Sequence, residues 1–293
     1  MDFCNFLDIC PGEDLLKANP RNGDEHNGGQ VVMEQQAENR NDLAVFAMRL
    51  AEHAGALSLK YFRKTLDVEH KADRSPVTVA DRSIETAMRQ RIEETYPHHG
   101  ILGEEHGEEN IDRANTWVLD PIDGTKSFIT GMPTFGTLVA HLEHAVPVIG
   151  IIDMPMLDER WLGVAGQPAL FNGSACKTSD CRRLADANIY ATSPDMFDAA
   201  GKDAFDRVSM RAAMRRFGGD CYAYGLLASG HVDAVMEMQL EPYDYMALVP
   251  VIECAGGVIT DWQGAPLHTG SDGHVIAAAT PALHDEMLCA LAA

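Results

Sequence analysis

Between residues 134 and 173 the chain reads as strand after strand, joined by connections too short to hold a helix. "TFGTLVAHLE" (134–143) and "PVIGIIDMP" (147–155) meet across a tight turn, and "RWLGVAG" (160–166) with "PALFNG" (168–173) forms a second hairpin. This middle is a β-meander. Before it, Leu43, Phe46, Ala47, Leu50, Ala54, Leu57 and Tyr61 recur at helical spacing over residues 41–64, with Asn41 or Asp42 as N-cap. A second helix over 79–96 puts Ile84, Met88 and Ile92 on one face, holds Asp81 in its first turn, and ends at Pro97. A strand "GILG", an acidic "EEHGEEN" and a strand "TWVLD" ending on Asp120 lead into the meander. After it, strands "NIYATS", "VDAVMEM", "GVITD" and "HVIAAAT" alternate with helices through "FDRVSMRAAMRRF", through "YAYGLLASG", from Asp244 to the Gly256-Gly257 stop, and at the C-terminus. Helices and strands in this mixture imply layers, α on β, and the fold class expected is α+β.

Composition removes several function classes. The 293 residues hold 23 Lys plus Arg against 44 Asp plus Glu, a formal charge of −21, and show no basic stripe. Nucleic acid and anionic membranes are poor partners for such a surface. An acidic protein still takes an anionic substrate when metal ions sit between them, because a bound dication inverts the local field. Seven scattered cysteines without a C-x-x-C pair argue against a disulfide framework and for a reducing, cytoplasmic setting. No run approaches the roughly 18 apolar residues of a membrane span, and no secretion or transit signal opens the chain. Residues 1–40, with "NPRNGDEHNGGQ", have little to bury and read as a disordered acidic extension ahead of a domain over 41–293.

"LDPIDGTKSF" (119–128) carries the chemistry. Asp120 stands at a strand end, Pro121 stiffens the path, and Asp123 follows three residues later, so both carboxylates and the Ile122 carbonyl can converge on one volume. Oxygen ligands without Cys or His suit a hard cation, Mg²⁺ above all. Gly124 and Thr125 then offer backbone N–H groups where "TKSFI" starts a helix, a place that favours phosphate oxygens. The bland alternative is that the two aspartates cap a turn, as Asp does beside Gly and Pro. His98, His99 and His106 flank Glu104 and Glu105, but no H-E-x-x-H zinc motif is present and loop histidines are expected in solvent. Met236 and Met238 alternate on a strand as core residues do.

Three stretches taken together resemble the inositol monophosphatase superfamily of Mg²⁺-dependent phosphomonoesterases: "GEE" at 103–105, "WVLDPIDGT" at 117–125, and "EPYDYMALVPVIECAGG" at 241–257, with Tyr243 where most members have Trp. The resemblance covers residues 42–293 and implies a layered α-β-α-β-α sandwich, with an N-terminal half at about 41–185 and a C-terminal half at about 186–293. It implies metal ligands Glu104, Asp120, the Ile122 carbonyl, Asp123 and Asp244. It further implies catalytic roles for Glu104, acting through its metal, and for Thr125, whose hydroxyl, oriented by Asp81, positions the attacking water. Gly124 and Thr125 amides would hold phosphate, Lys126 would touch phosphate or face solvent, and a homodimer is common in the superfamily. Within it, "DPIDGTKSFITGMPTFGTL", "PVIGIIDMPMLDERWLGV" and "GGDCYAYGLLASGHVDAVME" look most like the histidinol-phosphate phosphatases of histidine biosynthesis. Inositol-phosphate members typically read D-G-T-x-N-F and carry G-S-A-A where this chain has Gly218-Gly219-Asp220-Cys221. Histidinol phosphate carries an ammonium and an imidazole beside its phosphate, so a carboxylate at Asp220 suits it, and Glu237 joins Asp220 at the far end of the substrate. Inositol monophosphate and a 3'-phosphorylated nucleotide are the alternative substrates. A catalytically silent cation-binding protein is the alternative of another class.

Overall fold

The computed structural model describes residues 39–64, 68–70 and 76–293. The expectation of a disordered extension therefore lies outside the described residues, apart from Asn39 and Arg40. In the first half the elements are α1 (Arg40–Tyr61), β1 (Val68–His70), β2 (Pro76–Thr78), α2 (Val79–Thr95), β3 (Gly100–Gly103), β4 (Gly107–Glu109), β5 (Asn115–Asp123), α3 (Thr125–Thr130), β6 (Gly136–Glu143), β7 (Val146–Met154), β8 (Glu159–Val164), β9 (Leu170–Phe171) and β10 (Ser174–Ala175). The second half adds β11 (Asn188–Ala191), α4 (Ala199–Ser209), β12 (Met214–Phe217), α5 (Cys221–Ala228), β13 (Ala234–Glu237), α6 (Pro242–Tyr245), α7 (Leu248–Cys254), β14 (Val258–Thr260), β15 (Val275–Ala278) and α8 (Pro281–Leu291).

The meander is the middle of an eight-stranded sheet of order β10-β9-β8-β7-β6-β5-β3-β4. Its strands alternate, so each face finds its own cover. Trp117, Leu119, Val139, Ile149 and Ile151 pack on one face against Leu43, Leu50 and Ala54 of α1 and Ile84, Met88 and Ile92 of α2. Val118, Leu138, Ala140, Ile152 and Trp161 point to the other, against Ala223, Tyr224 and Leu227 of α5 and Leu248, Val251 and Ile252 of α7. The same two helices also meet Val235, Val275 and Ala277 of a five-stranded sheet, order β12-β11-β13-β15-β14. The far face of that sheet, Ile189, Ala234, Met236, Ile276 and Ala278, is closed by Phe205 and Val208 of α4 and Leu283 and Met287 of α8. The layers run α-β-α-β-α. The larger sheet draws on residues 100–175 and the smaller on 188–278; the division into halves at 185/186 is kept as a proposal.

The fold corrects several local expectations. Helix α1 is capped by Asn39, whose side chain accepts from the Asn41 N–H, rather than by Asn41 or Asp42. Strand β5 does not end on Asp120 but runs on to Asp123 with an irregular register. The helix read through 205–217 stops at Ser209, and Met214–Phe217 is instead a parallel edge strand beside β11. "RAAMRRF" has good helix formers, but pairing with β11 overrides the local preference. The helix from Asp244 is two, α6 and α7. The β1–β2 pair was not expected at all.

Candidate active site

The site is built where β5 is forced out of register. Asp120 pairs with Leu138 and Asp123 with Gly136, so one extra residue bulges between them, at Pro121-Ile122. Pro121 has no N–H to give a ladder, which suits a bulge. Its carbonyl is instead taken by the buried Thr137 hydroxyl at 2.9 Å, and the Ile122 N–H donates back to Asp120 Oδ1 at 3.0 Å. The bulge turns the carboxylates of Asp120 and Asp123 towards Asp244, at the start of α6, and oxygen atoms of all three lie within 4.8 Å of one another. Asp244 is oriented by a capping box, its Oδ2 accepting from the Glu241 N–H at 2.8 Å. Asp123 Oδ2 accepts from the first amide of α5, Cys221 N–H, at 2.7 Å. Glu104 is near enough to the Asp120 carboxyl to raise its pKa.

Electrostatics mark this volume. Burial, then Glu104, Asp123 and Asp244, hold the Asp120 carboxyl well above the usual range. Burial and Asp123 do the same to Asp244. Burial and Asp220 push Asp123 up to about 7, against the pull of the Cys221 amide. The charges acting most on each acid are other acids, and they favour keeping protons unless a cation arrives. Three aspartates with oxygen donors only, their oxygens within 4.8 Å of one another, fit Mg²⁺, whose oxygen contacts are about 2.1 Å.

Around this cluster the turn and helix α3 follow at once. Gly124 takes φ +79, and a side chain there would meet the Asp220 carboxyl carbon at 2.9 Å. Thr125 Oγ1 donates to the Ile122 carbonyl at 3.2 Å, so hydroxyl and carbonyl, both expected in the site, already touch. Asp81 is fully buried at the N-terminus of α2, its Oδ2 accepting from the Thr78 N–H at 2.8 Å and the Thr78 hydroxyl at 2.6 Å. Lys126 is exposed. A cavity of about 130 Å³ is lined by Asp123, Asp220, Tyr224, Glu237 and Asp244, among others, and gathers the expected far-end acids beside the expected metal ligands. Glu237 sits on the inner strand β13, buried, with one oxygen accepting from the Thr192 N–H (2.6 Å) and the other from the Tyr224 hydroxyl (2.9 Å). Burial raises its pKa and those two donors oppose the rise.

Some residues that shape the site gave no signal in the sequence. Glu85, fully buried on α2, accepts from the Glu105 N–H at 2.7 Å, the His106 N–H at 3.2 Å and Arg89 Nε at 2.8 Å, and so fixes the loop that carries Glu104. A Glu and an Arg four apart on a helix otherwise look like a solvated pair. Gly103 leaves room for it, since a Cβ there would fall 2.0 Å from Glu85 Oε1. Ser127, Thr137, Thr192 and Tyr224 likewise act through partners distant in sequence. Of the histidines expected in solvent, His99 is instead buried and accepts from Trp117 Nε1 at 3.0 Å. Among the described residues, no helix is long and apolar enough to cross a membrane.

Comparison with known proteins places this geometry. The profile of the inositol monophosphatase family matches residues 39–293. The bifunctional phosphatase IMPL2 of Arabidopsis thaliana, chloroplastic by name, is 51% identical over 219 residues, 73% of this chain and 63% of that protein, so the match spans under two thirds of that relative. A histidinol-phosphatase of Chlorobaculum parvum is 34% identical over 247 residues, 84% of this chain and 95% of that one. The structure of an inositol monophosphatase from Zymomonas mobilis superposes with a TM-score of 0.80 at 44% identity, covering 87% of this chain and all (100%) of that one. Sequence profile, relatives and architecture agree: the chain belongs to the inositol monophosphatase family of phosphatases.

Proposed function

We propose that this chain hydrolyses L-histidinol phosphate to L-histidinol and phosphate in a Mg²⁺-dependent reaction of histidine biosynthesis. The observation that supports this substrate is Asp220, a carboxylate lining the same cavity as Asp123 and Asp244 and packed against the Gly124 turn. A substrate bearing an ammonium gains from that charge and a neutral polyol does not. The name of the Chlorobaculum parvum relative points the same way.

Glu104, Asp120, the Ile122 carbonyl, Asp123 and Asp244 would hold the ion. When bound, a divalent cation supplies charge neutralisation at the phosphate and a lowered pKa for water. In this reading the chain's own groups do the rest. Gly124 and Thr125 amides hold the phosphate at the head of α3. The Thr125 hydroxyl turns from the Ile122 carbonyl to the attacking water, with Asp81 orienting it, and Glu104 assists from the cluster. Water adds in line at phosphorus, the ester P–O bond breaks, and the alcohol leaves, so no covalent phosphoenzyme is needed. Asp220 and Glu237 face the amino-imidazole end. A cytoplasmic homodimer goes with this reading.

The test is phosphate release with Mg²⁺ from L-histidinol phosphate, inositol 1-phosphate and adenosine 3',5'-bisphosphate, with an EDTA control. A preference of about 100-fold or more for histidinol phosphate, equivalent to about 2.7 kcal/mol, is expected. The likeness to the Zymomonas mobilis enzyme favours inositol monophosphate as second reading. Comparable rates on both would sink the substrate assignment and keep the phosphatase.

A further inference from the structure

Ser127 and Asp220 stand 93 positions apart, yet Ser127 Oγ donates to Asp220 Oδ2 at 2.7 Å. Asp220 is not at rest in its backbone. It holds φ 46 and ψ −139 after Gly218 and Gly219 at φ 94 and 133, a run that only glycine adopts freely. Its side chain does not cap α5, whose first amide goes to Asp123. The carboxyl instead lies over Gly124, close enough that any side chain on that glycine would collide with it.

We infer that Ser127 is a positioning residue: its hydroxyl fixes the Asp220 carboxylate over the phosphate-holding turn, leaving Oδ1 for a substrate ammonium on the carbon next to the ester-bearing carbon. The inference rests on the phosphatase reading above and names the chemistry by which that site chooses its substrate. In an amino alcohol phosphate of this kind the ammonium sits only a few bonds from phosphorus. A carboxylate packed on the phosphate turn reaches it, whereas the more distant imidazole falls towards Glu237. Ser127 itself need not touch the substrate. The hydrogen bond spans α3 and the entry of α5, so phosphate grip and charge recognition are set by one contact.

The test compares L-histidinol phosphate with its deamino analogue, in which hydrogen replaces the ammonium, on the Mg²⁺-loaded enzyme. Wild type is expected to prefer the ammonium-bearing ester by about 30-fold in kcat/KM, a charge-assisted hydrogen bond's worth. Ser127→Ala is expected to cut that preference about 5-fold through KM with kcat held within about 2-fold, and Ser127→Thr to restore it. Because Ser127 acts through Asp220, the double variant with Asp220→Asn should lose no more than Asp220→Asn alone. Wild-type turnover of histidinol phosphate with no preference over the deamino analogue would overturn ammonium recognition and leave the proposed function standing. An unchanged preference in Ser127→Ala, or losses that multiply in the double variant, would overturn the positioning role. No turnover of histidinol phosphate would instead remove the functional reading beneath both.

Discussion

Two sets of acids, one around Glu85 and one around Asp120, behave in opposite ways. Glu85 is fully buried, yet Arg89 and two backbone N–H groups meet its oxygens. Asp120 is equally deep, and the charges pressing on it are Glu104, Asp123 and Asp244. Both are carboxylates. What differs is whether the chain supplies the counter-charge. Where it does, the acid is scaffold and holds a loop in place; where it withholds it, the acids press on one another in a cluster that could hold a cation.

The comparison breaks most easily at Asp123. Asp123→Asn is expected to lower turnover by roughly 1000-fold or more, since it removes a charge from the cation cluster. Full activity in that variant would undo the site assignment. Removing Glu85 should cost stability instead, because it opens the loop and leaves a guanidinium only 9% exposed with just the half-exposed Glu109 at 3.5 Å and the Gly107 carbonyl. Glu85→Ala is expected to cost on the order of 3–5 kcal/mol in a urea melt, and a loss under about 1 kcal/mol would mean the pair is not structural.

pH sharpens the contrast further. The folded pKa of Asp123 is raised to about 7, above its unfolded value, so the folded state binds the extra proton and metal-free stability falls as pH rises through that interval. In EDTA, Asp123→Asn should therefore exceed wild type by about 4 kcal/mol at pH 8 and match it near pH 4, with Mg²⁺ erasing the difference by stabilising wild type alone. A variant less stable than wild type at pH 8 in EDTA would contradict the strained-cluster account. The smallest effect belongs to an intermediate case, Asp153, whose partner Arg160 Nε at 2.7 Å is 30% exposed. Arg160→Ala is expected to cost about 1 kcal/mol and leave kcat unchanged; a loss as large as that at Glu85 would erase the gradation.

The cluster was legible because its parts are local: D-P-x-D-G-T fixes a bulge, two carboxylates and a turn within six residues, whatever surrounds them. The meander and the paired helices were legible through period. Glu85 was not, since an i, i+4 Glu-Arg pair reads the same whether solvent or a loop covers it. Nor was the Ser127–Asp220 contact, which exists only after two helices from different halves of the chain meet. The edge strand Met214–Phe217 failed for a third reason: nothing in "MRRF" prefers a strand until β11 lies beside it. Whether a carboxylate is scaffold or site depends on what tertiary packing brings to it, and side-chain type alone carries none of that.

Helices α5 and α7 serve both sheets from between them, and this has a consequence during synthesis. The eight-stranded sheet is complete in sequence by Ala175, but α7 ends only at Cys254. At ribosomal speed that interval lasts roughly 4–16 seconds, and until it ends Leu138, Ile152 and Trp161 have at most half of their lid, the part that α5 supplies. The nascent chain must wait out that delay with an incompletely covered apolar face, so holdase chaperones should engage it between those two lengths and let go once α7 has emerged.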